Sequence, residues 1–107
     1  MYKIIPSERF EKSAKILLKK YKSLSRELLE LGDELAENPT LGSPLGKSCY
    51  KVRLGIESKG KGKSGGARVI TYVVTEDEEV ILLTIYDKKE RDNLLPNELD
   101  ELLGELL

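Results

Sequence analysis

The chain has 107 residues, 39% hydrophobic and 35% charged, with 18 basic and 19 acidic residues, one cysteine and no histidine. That length supports one hydrophobic core without staples, the lone Cys49 excludes an internal disulfide and fits a reducing compartment, and no stretch nears the ~20 apolar residues of a membrane span. The absent histidines exclude a Cys/His zinc site and any Ser-His-Asp or Cys-His arrangement. The expectation is a single cytoplasmic domain, with no membrane, metal or small-molecule cofactor among its partners.

Tyr2-Lys3-Ile4-Ile5 reads as a short strand that Pro6 ends or marks as an edge. Ser7 is a helix N-cap, with Glu8 and Glu11 placed where acids favour a helix start. Phe10, Ala14, Leu17, Leu18 and Tyr21 then recur at helical spacing, which predicts an amphipathic helix over about 7–21. Ser23 caps a second helix with Leu24, Leu28, Leu31 and Leu35 as its apolar stripe, stopped at Asn38-Pro39. The short junction between the two makes a helical hairpin. Residues 39–48, with two prolines and two glycines, read as a loop.

The periodicity then changes. Tyr50, Val52 and Leu54 alternate with Lys51 and Arg53, the pattern of a half-buried strand with a basic outer face. Residues 57–66, ESKGKGKSGG, read as a mobile loop with nothing to give to a core. Two β-rich runs follow, Arg68 to Val74 and Val80 to Tyr86, split by the turn at 75–78. Residues 87–93 are charged and read as helical or turn-like. Pro96 opens a last helix, striped by Leu99, Leu102, Leu103, Leu106 and Leu107. The resulting fold class is α+β: an antiparallel meander with the N-terminal strand added, packed against the helical hairpin, with a short C-terminal helix. The sheet face away from the hairpin is left free to be polar.

Charge is sorted along the chain. Residues 47–72 hold seven basic residues against Glu57 alone, whereas residues 73–107 hold three basic and eleven acidic ones. A concentrated basic block attracts phosphates whatever the net charge; equally, the acidic tail can balance a solvated loop within the molecule. Gly62-Lys63-Ser64 does not belong to a phosphate-binding P-loop, because Glu57 stands where that motif needs its first glycine and a strand follows. In a meander the start of 68–74 lies near the end of 80–86, so Lys51, Arg53, Lys59, Lys61, Lys63, Arg68, Tyr86 and Asp87 form one constellation. Crowded cations can neutralise the transition-state charge of a phosphodiester, and Tyr86 can stack on a base or donate a proton. The pattern fits as well a solvated strand face with Tyr86 in the core.

Tyr2-Lys3-Ile4, the two helices, Asn-Pro-x-Leu-Gly-x-Pro-Leu-Gly at 38–46, Cys-Tyr-Lys-Val-Arg-Leu at 49–54, Ser-Gly-Gly-Ala-Arg-Val-Ile-Thr-Tyr at 64–72 and Leu-Thr-Ile-Tyr-Asp-Lys-Lys-Glu at 83–90 together resemble the RelE/ParE superfamily of type II toxins, near its RelE and HigB-like branch. The resemblance implies a cognate antitoxin and metal-independent cleavage of mRNA in the ribosomal A site, with the 2′-hydroxyl attacking the adjacent phosphate. It places the family's basic strand pair at Lys51 and Arg53, its next-strand arginine at Arg68, and a later basic position near Lys89 or Arg91. Tyr86 and Asp87 stand where relatives carry proton-transfer groups. The expected catalytic set is therefore Lys51, Arg53, Arg68, Tyr86 and Asp87. Lys47, Lys59, Lys61, Lys63, Lys89 and Arg91 are the expected grip on RNA. The alternative is a non-catalytic binding toxin, as ParE relatives are against DNA gyrase, or a family member kept for antitoxin binding.

Overall fold

A computed structural model describes residues 1–60 and 62–106; Lys61 of the predicted grip and Leu107 of the leucine stripe lie outside them. β1 (Lys3–Pro6) leads into α1 (Glu8–Lys20) and α2 (Leu24–Glu37), followed by β2 (Ser43–Gly46), β3 (Cys49–Leu54), a 3-10 turn (Glu57–Lys59), β4 (Ala67–Val74), β5 (Glu79–Asp87) and α3 (Glu98–Gly104). The sheet order is β1-β5-β4-β3-β2. β1 lies parallel to β5, and the other pairs are antiparallel. The expected meander, added N-terminal strand and helical hairpin are all present.

α1 starts as the sequence indicates. The Ser7 hydroxyl accepts the Phe10 N–H at 3.0 Å, and acids in the first turn and lysines in the last both suit the helix dipole. Ser23 behaves differently from a helix cap. Its own backbone is helical and its side chain does not cap α2. Its hydroxyl donates to Glu27 (3.0 Å) and accepts the Ser58 N–H (2.9 Å), so it ties the hairpin to the segment after β3. The last helix starts two residues later than expected, at Glu98, because Asn97 in front of it has φ 70°.

The predicted loop at 39–48 contains β2. Pro44 has no N–H to give a ladder, so it suits an edge strand, and all four residues of β2 are exposed. The hairpin into β3 is a two-residue turn, Lys47-Ser48, between the paired Gly46 and Cys49. Both turn residues have positive φ (56° and 61°), the sign that matches the twist of the flanking strands. Neither is glycine or asparagine, which is why the turn is silent in the sequence.

The sequence reads 57–66 as a mobile loop, but its described residues, 57–60 and 62–66, are tied down. The Glu57 N–H donates to the buried Glu27 carboxylate at 2.7 Å, Lys59 reaches Asp87 and the Gly66 carbonyl, and the Lys63 and Ser64 carbonyls accept from Arg68. Gly66 is required where it stands. A Cβ there meets the Leu54 carbonyl oxygen at 2.0 Å, a backbone atom that cannot move aside.

The sheet has two apolar faces. On the hairpin side Phe10, Leu17, Leu24, Leu31 and Leu35 pack on Val52, Val69, Val80, Leu82 and Ile85. The opposite face, expected to be polar, buries Cys49, Ile70, Leu83, Tyr86 and Leu102. α3 and the turn after it supply the cover, with Leu99, Leu103 and Leu106 partly buried beside Leu102. The register between β4 and β5 explains how one strand serves both faces. Ile70 pairs with Thr84 but Thr71 pairs with Leu82, so Leu83 is an extra residue, a β-bulge. Strict alternation from Val80 through Leu82 would place Tyr86 towards the hairpin. The bulge turns Ile85 to the hairpin and Tyr86 to the opposite face.

Candidate functional site

Cross-strand register brings three of the five predicted catalytic residues into one row. Arg53 of β3 pairs with Arg68 of β4, and Arg68 pairs with Tyr86 of β5. Residues directly opposite in adjacent strands share a face with Cβ atoms about 5 Å apart. Lys51, two residues before Arg53, joins them on that face. The bulge is what admits Tyr86 to the row.

Arg68 is almost wholly buried, with 1% exposure. Its guanidinium is held on every nitrogen: Nη1 donates to the Lys63 carbonyl (2.9 Å) and the Ala67 carbonyl (3.1 Å), Nη2 to the Ser64 carbonyl (3.2 Å), and Nε to Asp92 Oδ1 (2.7 Å). A buried guanidinium needs such satisfaction to offset its lost hydration. That hydrogen bond, and the charges of Arg68, Lys51 and Lys88, lower the Asp92 pKa from the ordinary carboxylate value. Lys51 donates to Asn93 Oδ1 (2.7 Å) and to the Asp92 carbonyl (3.3 Å). The Tyr86 hydroxyl donates to the same carbonyl at 3.0 Å. Burial pushes the Tyr86 pKa to about 12 against the opposing pull of Arg91. Arg91 stacks over the Tyr86 ring, 4.3 Å from its centroid, and is fixed there by a two-pronged pair with Glu98. Tyr86 is thus a core residue with a polar tip, and its ring face is taken. Arg53 is exposed and pairs with no carboxylate among the described residues. With Lys51 and Lys63 it borders a groove of about 800 Å³ along the β3 edge, whose other wall carries Glu30 and Glu34 of α2.

Asp87 is not brought into this group. One residue past Tyr86, it turns to the hairpin side. There it accepts from Tyr21 Oη (2.6 Å), from the Lys89 backbone N–H (3.0 Å) and from Lys59. Burial alone would raise its pKa; the hydrogen bonds from Lys59, Tyr21 and the Lys89 backbone hold it near 2. Hydrogen bonding to Asp87, then burial, raises Tyr21 to about 12. Lys59 leaves the predicted grip for the same reason, its side chain being 10% exposed beside an Asp87 that is 1% exposed. Lys47 pairs with Asp100 of α3, and Arg91 is committed to Glu98 and Tyr86. Lys63 and Lys89 are exposed.

Asp92 and Asn93 are the site residues that the sequence did not disclose. They sit among fourteen acidic and basic residues of the C-terminal third, and no spacing marks them. The acidic tail folds back onto the basic block, and Asp87, Asp92 and Asp100 meet Lys59, Arg68 and Lys47. The internal balance of charge left open by the sequence is therefore real for part of the block.

A sequence model described as the RelE toxin of the RelE/RelB toxin-antitoxin system matches residues 3–104. The chain belongs to the RelE toxin family. It is thus the toxin component of a type II toxin–antitoxin system, and its partner is a cognate antitoxin. The isolated E. coli RelE toxin is similar over 100% of both chains, at 22% identity and TM-score 0.58. A chain of the intact E. coli RelBE toxin–antitoxin complex is similar at 25% identity and TM-score 0.57, over 81% of this chain and 96% of that one. E. coli RelE bound to a peptide of its antitoxin RelB is similar at 22% identity and TM-score 0.56, over 99% and 94%. The RelE fold is therefore established for this chain. Among the described residues no group of acidic, cysteine or histidine side chains has the arrangement of a metal site, and no helix is long and apolar enough to cross a membrane.

Proposed function

We propose that this RelE-family toxin cleaves mRNA on the ribosome without a metal, using the row Arg53–Arg68–Tyr86 with Lys51. The observation that carries the reading is the row itself: two guanidinium groups and a phenol opposite one another across three adjacent strands. The reaction forms a bond from the ribose 2′-oxygen to phosphorus and breaks the bond from phosphorus to the 5′-oxygen. The products are a 2′,3′-cyclic phosphate and a 5′-hydroxyl. The 2′-hydroxyl proton leaves and a proton arrives on the 5′-oxygen. The added negative charge on the phosphoryl oxygens is what fixed cations stabilise. Arg53, exposed at the end of the row, meets the phosphate first, and Lys63 and Lys89 contact RNA backbone.

One feature favours a second reading. Every nitrogen of Arg68, through four of its five N–H donors, is engaged inside the protein, as expected of a toxin that only binds. Induced expression in bacteria, with growth followed and mRNA 5′ ends mapped, separates the two. Arg53→Ala is the informative variant because the exposed side chain can be lost without unfolding the protein. Growth arrest with codon-phased cuts that Arg53→Ala abolishes supports the nuclease. Arrest without cuts rejects it in favour of the binding toxin.

A further inference from the structure

We propose that Asp92 and Asn93 occupy the phosphate-binding position itself, so that the segment between β5 and α3 is a strap that RNA phosphate must displace. The inference rests on the proposed nuclease site. It concerns how that site is closed and what opens it.

The strap touches one functional side chain from each of three strands. Asp92 Oδ1 lies 2.7 Å from Arg68 Nε on β4 and 4.0 Å from Lys51 Nζ on β3. The Asp92 carbonyl takes the Tyr86 hydroxyl of β5 at 3.0 Å and Lys51 at 3.3 Å, and Asn93 Oδ1 takes Lys51 at 2.7 Å. Three oxygens, one of them ionised, thus lie where a phosphodiester would place its own oxygens against the same donors. A carboxylate and a phosphodiester monoanion carry the same charge and both accept from guanidinium and ammonium groups. The Asp92 side chain is 38% exposed, so solvent and a competing anion reach it from outside.

The rest of the Arg68 cradle is already built for such an exchange. Its two terminal nitrogens are fastened to the Lys63, Ala67 and Ser64 carbonyls, none of which belongs to the strap. Lifting Asp92 frees the Nε–H without letting the guanidinium swing, and a donor that does not reorganise is the kind that stabilises developing charge well. The strap is held at both flanks by other contacts: the Lys89 N–H on Asp87, Arg91 on Glu98 and the Tyr86 ring, and the Glu98 carboxylate on the Leu95 N–H at 2.8 Å. The movement required is confined to residues 92 and 93.

The test uses a 2′-O-methyl RNA trinucleotide, which presents phosphodiesters and cannot be cleaved, titrated into the purified protein by NMR. Wild type is compared with Asp92→Asn, which keeps the acceptor shape and removes the charge, and with Asp92→Ala. Far-UV circular dichroism melts establish that each variant is folded. A charge-assisted hydrogen bond removed from the competitor predicts roughly tenfold tighter binding by Asp92→Asn. Arg68→Gln in the Asp92→Asn background returns the affinity to the wild-type level or below. Should Asp92→Ala not fold, Asp92→Asn and the Arg68 side-chain Nε–H resonance of the wild type, which shifts on saturation with trinucleotide if Asp92 is displaced, decide the matter. Equal affinity for wild type and Asp92→Asn overturns the proposal. So does weaker binding by Asp92→Asn, which makes Asp92 a positioning residue for Arg68. Failure of the nuclease reading is seen separately: no codon-phased cuts from wild type, with the tenfold gain intact, retires the nuclease and keeps the strap.

Discussion

Replacing Asp87 with asparagine separates a structural carboxylate from a catalytic one. Asp87 is 1% exposed and holds Tyr21, Lys59 and the Lys89 backbone at once. Its pKa falls from 3.8 to about 2 on folding. At ~1.4 kcal/mol per pKa unit, ionised Asp87 contributes about 2 kcal/mol. The sign follows from the direction: the folded pKa is depressed, so the stabilisation is fully present above the unfolded value near 4 and disappears as the pH falls through 2. Asp87→Asn should therefore lower unfolding free energy at pH 7 by about 2 kcal/mol, and more if the largely buried Lys59 ammonium stays unpaired. It should also flatten the stability curve between pH 4 and pH 2. Urea unfolding followed by far-UV circular dichroism at pH 7, 4 and 3 measures both. Removing Lys59 as well, in Lys59→Met/Asp87→Asn, should recover part of the loss because no unpaired charge remains. An Asp87→Asn variant as stable as wild type at pH 7, with the same acid slope, refutes the reasoning.

Three further substitutions test the packing around the site. Thr71 is fully buried and its hydroxyl has no hydrogen-bond partner among the described residues, so Thr71→Val should stabilise by about 1 kcal/mol in the same urea assay. Gly66→Ala should cost about 3 kcal/mol or more, since the new Cβ strikes the Leu54 carbonyl and moves the loop that holds Arg68; a melting temperature within a degree of wild type contradicts this. Leu102→Ala should cost about 2–4 kcal/mol and shift the near-UV tyrosine signal, because Leu102 is the buried contact of α3 in the cluster that contains Tyr86.

The legible parts of the fold were those with a period. Leu24, Leu31 and Leu35 specify the buried side of α2, and Tyr50, Val52 and Leu54 against Lys51 and Arg53 specify which way β3 faces. Phe10 and Ser7 specify α1 and its start. What stayed hidden depended on single backbone events. The β2–β3 turn uses Lys47 and Ser48 at positive φ, where glycine or asparagine gives the usual signal. The bulge at Leu83 ends the apolar run Val80 to Leu83, which has no alternation of its own to show that the pattern slips by one. That slip decides the faces of both Tyr86 and Asp87, so the sequence grouped two neighbours that the structure sends to opposite sides of the sheet. Asp92 was hidden for another reason: a carboxylate in an acidic tail acquires its role only when the chain returns to Arg68, 24 residues away in sequence.

Charge pairing inside the molecule sets how strongly salt should weaken its hold on RNA. Seven cations in residues 47–72, all engaging phosphates, predict a slope of log affinity against log salt near −5 to −6, at about 0.7–0.9 per phosphate. The structure commits four of them: Lys47 to Asp100, Lys51 to Asn93 and the Asp92 carbonyl, Lys59 to Asp87 and Arg68 to Asp92. Arg53 and Lys63 remain exposed, and Lys61 lies outside the described residues. A closed molecule with two or three contacts from this block has a slope near −2. Displacing the strap adds Lys51 and Arg68, and takes the slope towards −3 to −4. Ribosome binding by wild type between 50 and 300 mM salt therefore measures the state of the strap. Asp92→Asn should steepen the slope by about one contact, and Arg53→Ala should make it shallower by about one. A wild-type slope near −6 contradicts the pairing scheme, because Lys51, Arg53, Lys61, Lys63 and Arg68 with the proposed Lys89 contact reach only about −4 to −5 unless Lys47 and Lys59 leave their carboxylates.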